Sequence, residues 1–307
     1  MSRETQNFRN MVDSIVEGTD LAPLLPVVEK EILHYDILTA LQKHGALKEL
    51  VFQGDTSLRL IYGSNRFSED LDFAGGPDFT GEDVEGVAEA ISSHLVAKYG
   101  LSVNVKLPKE KPLQDGVNVS AWQISIETAP ARPDLPRQRI KLEIANVTAQ
   151  TVQAERLRLN YSGLPPSFGG LMLPVETLSE IMADKIVSLP AVTSHVRNRD
   201  VWDIGFISQK LPNFTPDVDM ITKKIIEYGI EDFEEKLTAR IESLPGIIQG
   251  EEFNREMQRF IAPSILETTL HSSGFRDFLI RTVSKVLEKS RDAIYGPEQS
   301  PDNQFKM

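Results

Sequence analysis

The chain has 307 residues, 40% of them hydrophobic, enough to fill a real core in a protein of two domains. It has no cysteine, and its five histidines (His34, His44, His94, His195, His271) never fall at metal-ligand spacing. Disulfides and thiolate zinc sites are therefore excluded, and any metal has to sit on oxygen. A formal charge of −12 argues against a general nucleic-acid coat protein, and no apolar run approaches the roughly 20 residues of a membrane span, so the sequence reads as cytoplasmic with no membrane contact.

Leu21 to Lys43 carries Leu25, Val28, Ile32, Ile37 and Leu41 at helical spacing, with Gly45 as the stop. Leu50-Val51-Phe52 then reads as a short strand, Gly54 as a turn, Leu58 to Tyr62 as a helix start, and Leu71-Asp72-Phe73 as a second strand before Gly75-Gly76-Pro77. Glu82 to Tyr99 is an amphipathic helix, and Leu101 to Val105, Val117 to Glu127 and Arg139 to Ile144 alternate as strands of one mixed sheet. Beyond the Gly- and Pro-rich loop at Gly163 to Gly170, helical patterns dominate: Val175 to Leu189, Arg199 to Lys210, Val218 to Tyr228, Glu231 to Leu244, Glu251 to Ile261 and Phe275 to Ile294. The expected organisation is an α/β (α+β) domain with N-terminal helices over residues 1–165, an all-helical domain over 166–295, and a polar, Pro-containing disordered tail over 296–307.

Charge is unevenly spread. Lys98 to Lys141 holds eight basic residues (Lys98, Lys106, Lys109, Lys111, Arg132, Arg137, Arg139, Lys141) against four acidic ones (Glu110, Asp115, Glu127, Asp134). Two readings stand: a basic face for an RNA end or nucleotide phosphates, or solvated hairpin edges where Lys blunts strand pairing.

Asp70 and Asp72 lie two apart, so on a strand both carboxylates project from one face and repel unless a cation neutralises them. Such hard oxygen ligands suit Mg²⁺ or Mn²⁺. Upstream, Gly54-Asp55-Thr56-Ser57 joins a strand to a helix, where N–H groups and two hydroxyls would cradle a phosphate; Thr56 or Ser57 would equally cap the helix. Two-metal phosphoryl transfer wants a third carboxylate as base and bridge. Glu143, between Leu142 and Ile144, is preferred over Glu127, which ends its strand beside a Pro-rich loop.

The run VFQGDTSLRLIYGSNRFSEDLDFA resembles the signature of the AbiEii/AbiGii-type nucleotidyltransferase toxins, whose fold is related to DNA polymerase beta. Leu178-Ser179-Glu180-Ile181-Met182-Ala183-Asp184-Lys185 is similar to that family's Glu-x-x-x-Ala-(Glu/Asp)-Lys helix, and Arg199-Asp200-Val201-Trp202-Asp203 to its Arg-Asp-x-x-Asp motif. The resemblance spans roughly residues 20 to 210. It implies a nucleotidyltransferase fold in which Asp70 and Asp72 bind metal, Gly54, Thr56 and Ser57 hold nucleotide phosphate with Arg66 and Ser68 beside them, Lys185 contacts the triphosphate, and Asp200 helps complete the site. Read alone, Lys185 would be a solvated helix charge, Asp200 a helix cap, and Arg199 and Asp203 structural. One position departs from the family: its second turn glycine is Asp55 here, whose charge would repel a triphosphate if it faced inward.

The function so implied is a toxin of a bacterial toxin–antitoxin or phage abortive-infection pair, transferring NMP from an NTP onto an acceptor, the 3′ end of tRNA. Its implied partner is a winged-helix antitoxin that in the type IV arrangement need not touch it. The alternatives are a protein hydroxyl or small molecule as acceptor, or a nucleotide-binding module without turnover.

Overall fold

In a computed structural model, the residues described are 3–297 other than 110–115, 131, 133 and 273. The expected tail, from residue 298 onward, and Glu110, Lys111 and Asp115 of the basic stretch lie outside them. The chain divides into two compact units, one formed up to Thr177 together with Gln258–Glu267, the other by Leu178–Met257 together with the chain from Thr268.

The first unit is built on a mixed seven-stranded sheet: β1 (Val51–Gln53), β2 (Leu71–Ala74), β3 (Ser102–Lys106), β4 (Val119–Glu127), β5 (Gln138–Ala145), β6 (Gln153–Arg156) and β7 (Met172–Val175), in the order β3-β4-β5-β2-β1-β7-β6. The β2–β5 and β1–β7 pairs are parallel and the rest antiparallel. Its helices are α1 (Arg3–Val16), α2 (Leu25–His44), α3 (Gly54–Leu60) and α4 (Val87–Tyr99). Because strand side chains alternate, Trp122, Ile124 and Ile126 of β4, Ile140, Leu142 and Ile144 of β5 and Leu71 and Phe73 of β2 are buried on one face, where α2 and α4 pack. The intervening residues line the opposite face, where the polar side chains of β3, β4 and β5 gather.

The α/β expectation with a mixed sheet flanked by helices is borne out, and most elements lie within a few residues of their predicted bounds. Two strands were not expected. β6 and β7 have four residues each, and β7 contains Pro174 and follows the loop after which only helices were anticipated. Their place is set by partners: β7 runs beside β1 and β6 pairs with β7. The predicted helix from Glu82 is interrupted at Gly86, whose φ of 82° separates a 3-10 turn at Gly81–Val84 from α4. Helix α3 also begins at Gly54, so the expected turn is the opening of the helix itself.

Buried charge on α2 ties the layers together. Each charged group there is answered: Arg9 Nη1 and Gln138 Nε2 donate to Glu29 at 2.7 Å each. Arg59 Nε (2.9 Å) and Asn160 Nδ2 (2.7 Å) donate to Glu31, and His94, Lys98 and the Tyr99 hydroxyl surround Asp36. Unpaired, such charges would cost several kcal/mol each.

The second unit is helical: α5 (Leu178–Ala191), α6 (Asn198–Lys210), α7 (Val218–Glu227), α8 (Phe233–Gln249), α9 (Glu251–Met257) and α11 (Phe275–Tyr295), whereas α10 (Pro263–Thr268) falls almost wholly in the Gln258–Glu267 segment of the first unit. Gly205 lets α6 approach α11, since a Cβ there would stand 2.4 Å from Leu279 Cδ1. Asp217 caps α7 by accepting from the Met220 N–H at 3.0 Å.

His34, fully buried on α2, donates from Nε2 to the Glu69 carbonyl at 3.0 Å, and burial lowers its pKa to about 3. Below pH 6.5 the unfolded chain takes up a proton that the native ring refuses, so this group lowers stability as pH falls from 6.5 toward 3. Urea unfolding should show wild type losing about 2 kcal/mol more than His34→Gln between pH 7 and pH 5; equal losses would contradict this reading of the buried ring.

Candidate active site

β1 delivers the chain to the site through Phe52, which is fully buried, and Gln53, which is extended. Gly54 then adopts φ 74°, and a Cβ placed on it would lie 3.0 Å from Asp72 Oδ2 and 3.3 Å from Asp72 Cβ. Both the left-handed backbone and the close approach call for glycine. The next residues are fastened inward: Ser57 Oγ donates to the Gly54 carbonyl at 2.8 Å, and Thr56 Oγ1 donates to the Asp70 carbonyl. Thr56 and Ser57 are buried, and each hydroxyl proton is committed to the backbone. Their visible role is to lock the opening turn of α3 onto the segment entering β2.

Asp72 sits in register with Gln53 on one side and with Glu143 on the other. The parallel β2–β5 pairing thus makes Asp72 and Glu143 cross-strand neighbours on the same face, both half-buried. Asp70 precedes β2 on that face, and its Oδ1 accepts from the Lys141 N–H at 3.2 Å. Among the described residues, the oxygens of Asp70, Asp72 and Glu143 are not gathered within 4.8 Å of one another. The register brings two of the three predicted carboxylates together and aims the third at the backbone of β5. Glu127 ends β4 and accepts from Arg137 Nη2 at 3.2 Å.

Asp55 forms an ion pair with Arg66, Nη2 to Oδ2 2.9 Å, and Arg66 is only 1% exposed. Arg66 Nη1 also donates to the Phe67 carbonyl at 2.9 Å, and its strand-like segment is held by a bridge to Ile261 and by the Phe67 N–H to the Phe260 carbonyl at 2.8 Å. Arg66, expected beside the nucleotide, is therefore a buried counter-ion for Asp55, the residue that departs from the family's glycine. Ser68 is buried next to it. The following residue is anchored to α2, where Lys30 Nζ meets Glu69 Oε1 at 2.6 Å.

Within the helical unit, Lys185 on α5 is 5% exposed and lies between two carboxylates of α6, 2.7 Å from Asp200 Oδ1 and 3.2 Å from Asp203 Oδ2. Asp200 also accepts from Ser188 Oγ at 2.8 Å and from Arg197 Nε. Arg199 Nε lies 3.5 Å from Glu256 Oε1. A second buried lysine, Lys224, bridges Glu180 Oε1 (3.0 Å) and Asp184 Oδ1 (2.6 Å). Lys185 is thus an ion-paired group rather than a solvated charge.

Ser188 and Arg197 were not anticipated. Ser188 is three residues after Lys185, as Asp203 is three after Asp200, and that helical spacing is the signal that would have joined them. The Lys141 N–H was invisible for a different reason: its partnership with Asp70 depends on strand register alone.

The model of the family described as "Nucleotidyl transferase AbiEii toxin, Type IV TA system" matches residues 36–288. No curated protein sequence matches the chain. Among solved structures, JHP933 from Helicobacter pylori is similar with a TM-score of 0.50 at 17% identity, over 87% of this chain and 93% of that one. MenT4, a nucleotidyltransferase toxin from Mycobacterium tuberculosis H37Rv, gives a TM-score of 0.49 at 18% identity, over 96% of this chain and 91% of that one. The likeness to JHP933 concerns the fold.

Gly54→Ala should lower stability by about 1–2 kcal/mol for the left-handed backbone alone, read by urea unfolding. A variant as stable as wild type would show that the close approach to Asp72 is not a constraint.

Proposed function

The chain belongs to the AbiEii nucleotidyl transferase toxin family of type IV toxin–antitoxin systems, and from that premise we propose that it transfers NMP from an NTP to the 3′-terminal hydroxyl of tRNA in the cytoplasm. The observation that carries the reading is the register of Asp72 against Glu143, with Gly54 pressed against the Asp72 carboxylate. Two half-buried carboxylates side by side repel one another; the Lys141 ammonium, 3.6 Å from Glu143 Oε1, offsets part of that charge, and the all-oxygen donor set suits a hard divalent cation for the rest. Asp72, Glu143 and Asp70 would hold Mg²⁺ or Mn²⁺, which when bound supplies charge neutralisation at the phosphate oxygens.

The chain's own residues divide the remaining work. The opening turn of α3, fixed by Thr56 and Ser57 and carrying Gly54, presents backbone N–H groups that have no partner within the helix and suit a phosphate. Arg66 cancels the Asp55 charge beside that turn, so the departure from glycine need not repel the nucleotide. Glu143 takes the proton of the acceptor hydroxyl on a carboxylate oxygen. The hydroxyl oxygen forms a bond to the α-phosphorus, the bond from that phosphorus to the bridging oxygen breaks, and pyrophosphate leaves.

Lys185 and Asp200 enter through their motifs. In this reading the triphosphate competes with Asp200 and Asp203 for the Lys185 ammonium. The family premise also supports an antitoxin partner, which this reading does not require to touch the chain. Among the described residues no helix is long and apolar enough to cross a membrane.

The test is incubation with Mg²⁺, each α-labelled NTP and total bacterial RNA. Wild type should label tRNA, and Glu143→Gln should lower the rate about 100-fold or more, with Asp72→Asn inactive and both variants melting as folded proteins. Lys185→Ala should raise the NTP requirement. Full activity in Asp72→Asn would overturn the carboxylate assignment; label on protein or on a small molecule would replace the acceptor, and no turnover with any acceptor would leave a binding module.

A further inference from the structure

The open face of the sheet continues past the carboxylates. In the first unit, Lys106 of β3 is in register with Gln123 of β4, and Gln123 with Lys141 of β5. Lys141 immediately precedes Leu142, the partner of Leu71, and its N–H bonds Asp70. One row across four strands therefore reads Lys106, Gln123, Lys141, Asp70. The row beside it reads Asn104, Ser125, Arg139. Lys106, Asn104, Arg139 and Lys141 are exposed, and the residues alternating with them face the buried core.

We propose that this strip is the track along which the acceptor RNA's single-stranded end reaches the carboxylates; the inference rests on the transferase reading above and deepens it. Three strand spacings, roughly 14 Å, separate Lys106 from Asp70. Over that span the face offers Lys106, Arg139 and Lys141, the last 3.6 Å from Glu143 Oε1 and so shared with the carboxylates, interleaved with amide and hydroxyl donors, on a chain whose formal charge is −12. A local cationic strip on an acidic protein attracts a polyanion at one place and repels it elsewhere. Its only acid in the row is Asp70, at the end where the reacting hydroxyl must arrive. The Glu127 carboxylate on the same face is answered by Arg137.

The side-chain chemistry also sets the mode of recognition. RNA-binding sheets that read bases stack them on exposed aromatic side chains. The outward positions of these rows carry none, and Trp122, the aromatic residue of β4, is buried on the other face. The strip therefore holds phosphates and sugars, and its grip is independent of base sequence. That separates the roles: the strip guides the strand, and base preference lies elsewhere in the protein.

The experiment is anisotropy binding of fluorescein-labelled tRNA and of labelled single-stranded oligoribonucleotides of different sequence to the full chain, across a series of KCl concentrations. Lys106→Gln/Arg139→Gln removes two exposed charges and touches none of the carboxylates. Each cation–phosphate pair removed should flatten the logarithmic salt dependence by about 0.7 for a single strand, so the double variant should flatten it by about 1.4. Its affinity should fall to a similar degree for every sequence, and Lys106→Glu/Arg139→Glu should weaken binding further while melting as wild type does. Binding of a fluorescent NTP should be unchanged in both. A wild-type salt slope in the double variant, while wild type labels RNA, would overturn the track and leave the transferase reading standing. A wild type that transfers NMP to protein or a small molecule and binds no RNA would overturn the track together with the tRNA acceptor.

Discussion

Everything at the candidate site depends on one register, the parallel pairing of β2 with β5 that sets Asp72 beside Glu143. A shift of either strand by one residue would turn its carboxylates into the apolar layer and its leucines and isoleucines outward. The core forbids that shift. Leu71 and Phe73 on β2, and Leu142 and Ile144 on β5, are fully or almost fully buried against α2 and α4, and burying each is worth about 1.5–3 kcal/mol. The apolar side chains on one face thus hold like charges together on the other, with the Lys141 ammonium 3.6 Å from Glu143 offsetting part of their repulsion. Gly54 tightens the arrangement from the neighbouring strand, since β1 can run this close to Asp72 only without a side chain at that point.

The same logic explains how the protein tolerates Asp55 where its family carries glycine. A second acid beside a phosphate-binding turn would be a liability in isolation. Here its charge is met by an arginine that is almost wholly buried, and the backbone around that arginine is pinned by the segment returning at Phe260 and Ile261. Removing Arg66 would leave Asp55 without this counter-ion, a more damaging change than exchanging both partners for apolar groups of similar volume. Lys185 between Asp200 and Asp203 follows the same rule inside the helical unit.

Much of the fold was legible in the sequence because it rests on periodicity and on punctuation by glycine. Helix α2 ends at Gly45 as its pattern indicated, the segments read as alternating became β4 and β5, and Leu142 and Ile144 face away from Glu143 into the core. What could not be read was anything decided by distant partners. β6 and β7 are too short to carry a pattern of their own, and β7 even contains a proline; they exist as strands because β1 supplies an edge. Among the candidate site residues, residue type and spacing pointed to Asp70, Asp72 and Glu143, but the partners of Thr56, Ser57 and Arg66 were hidden. The first two hydroxyls turned to carbonyls and the guanidinium to Asp55, outcomes fixed by backbone geometry that no local motif encodes.

If the β2–β5 register builds a divalent-cation site from Asp72, Glu143 and Asp70, the ion should be visible there. The measurement to make is Mn²⁺ anomalous diffraction from crystals of the protein soaked with Mn²⁺ and a non-hydrolysable NTP analogue. An anomalous peak should lie on carboxylate oxygens of Asp72 and at least one of its two companions, at distances typical of a hard cation on oxygen. A peak held by other residues, with Asp72 and Glu143 untouched, would contradict the assignment.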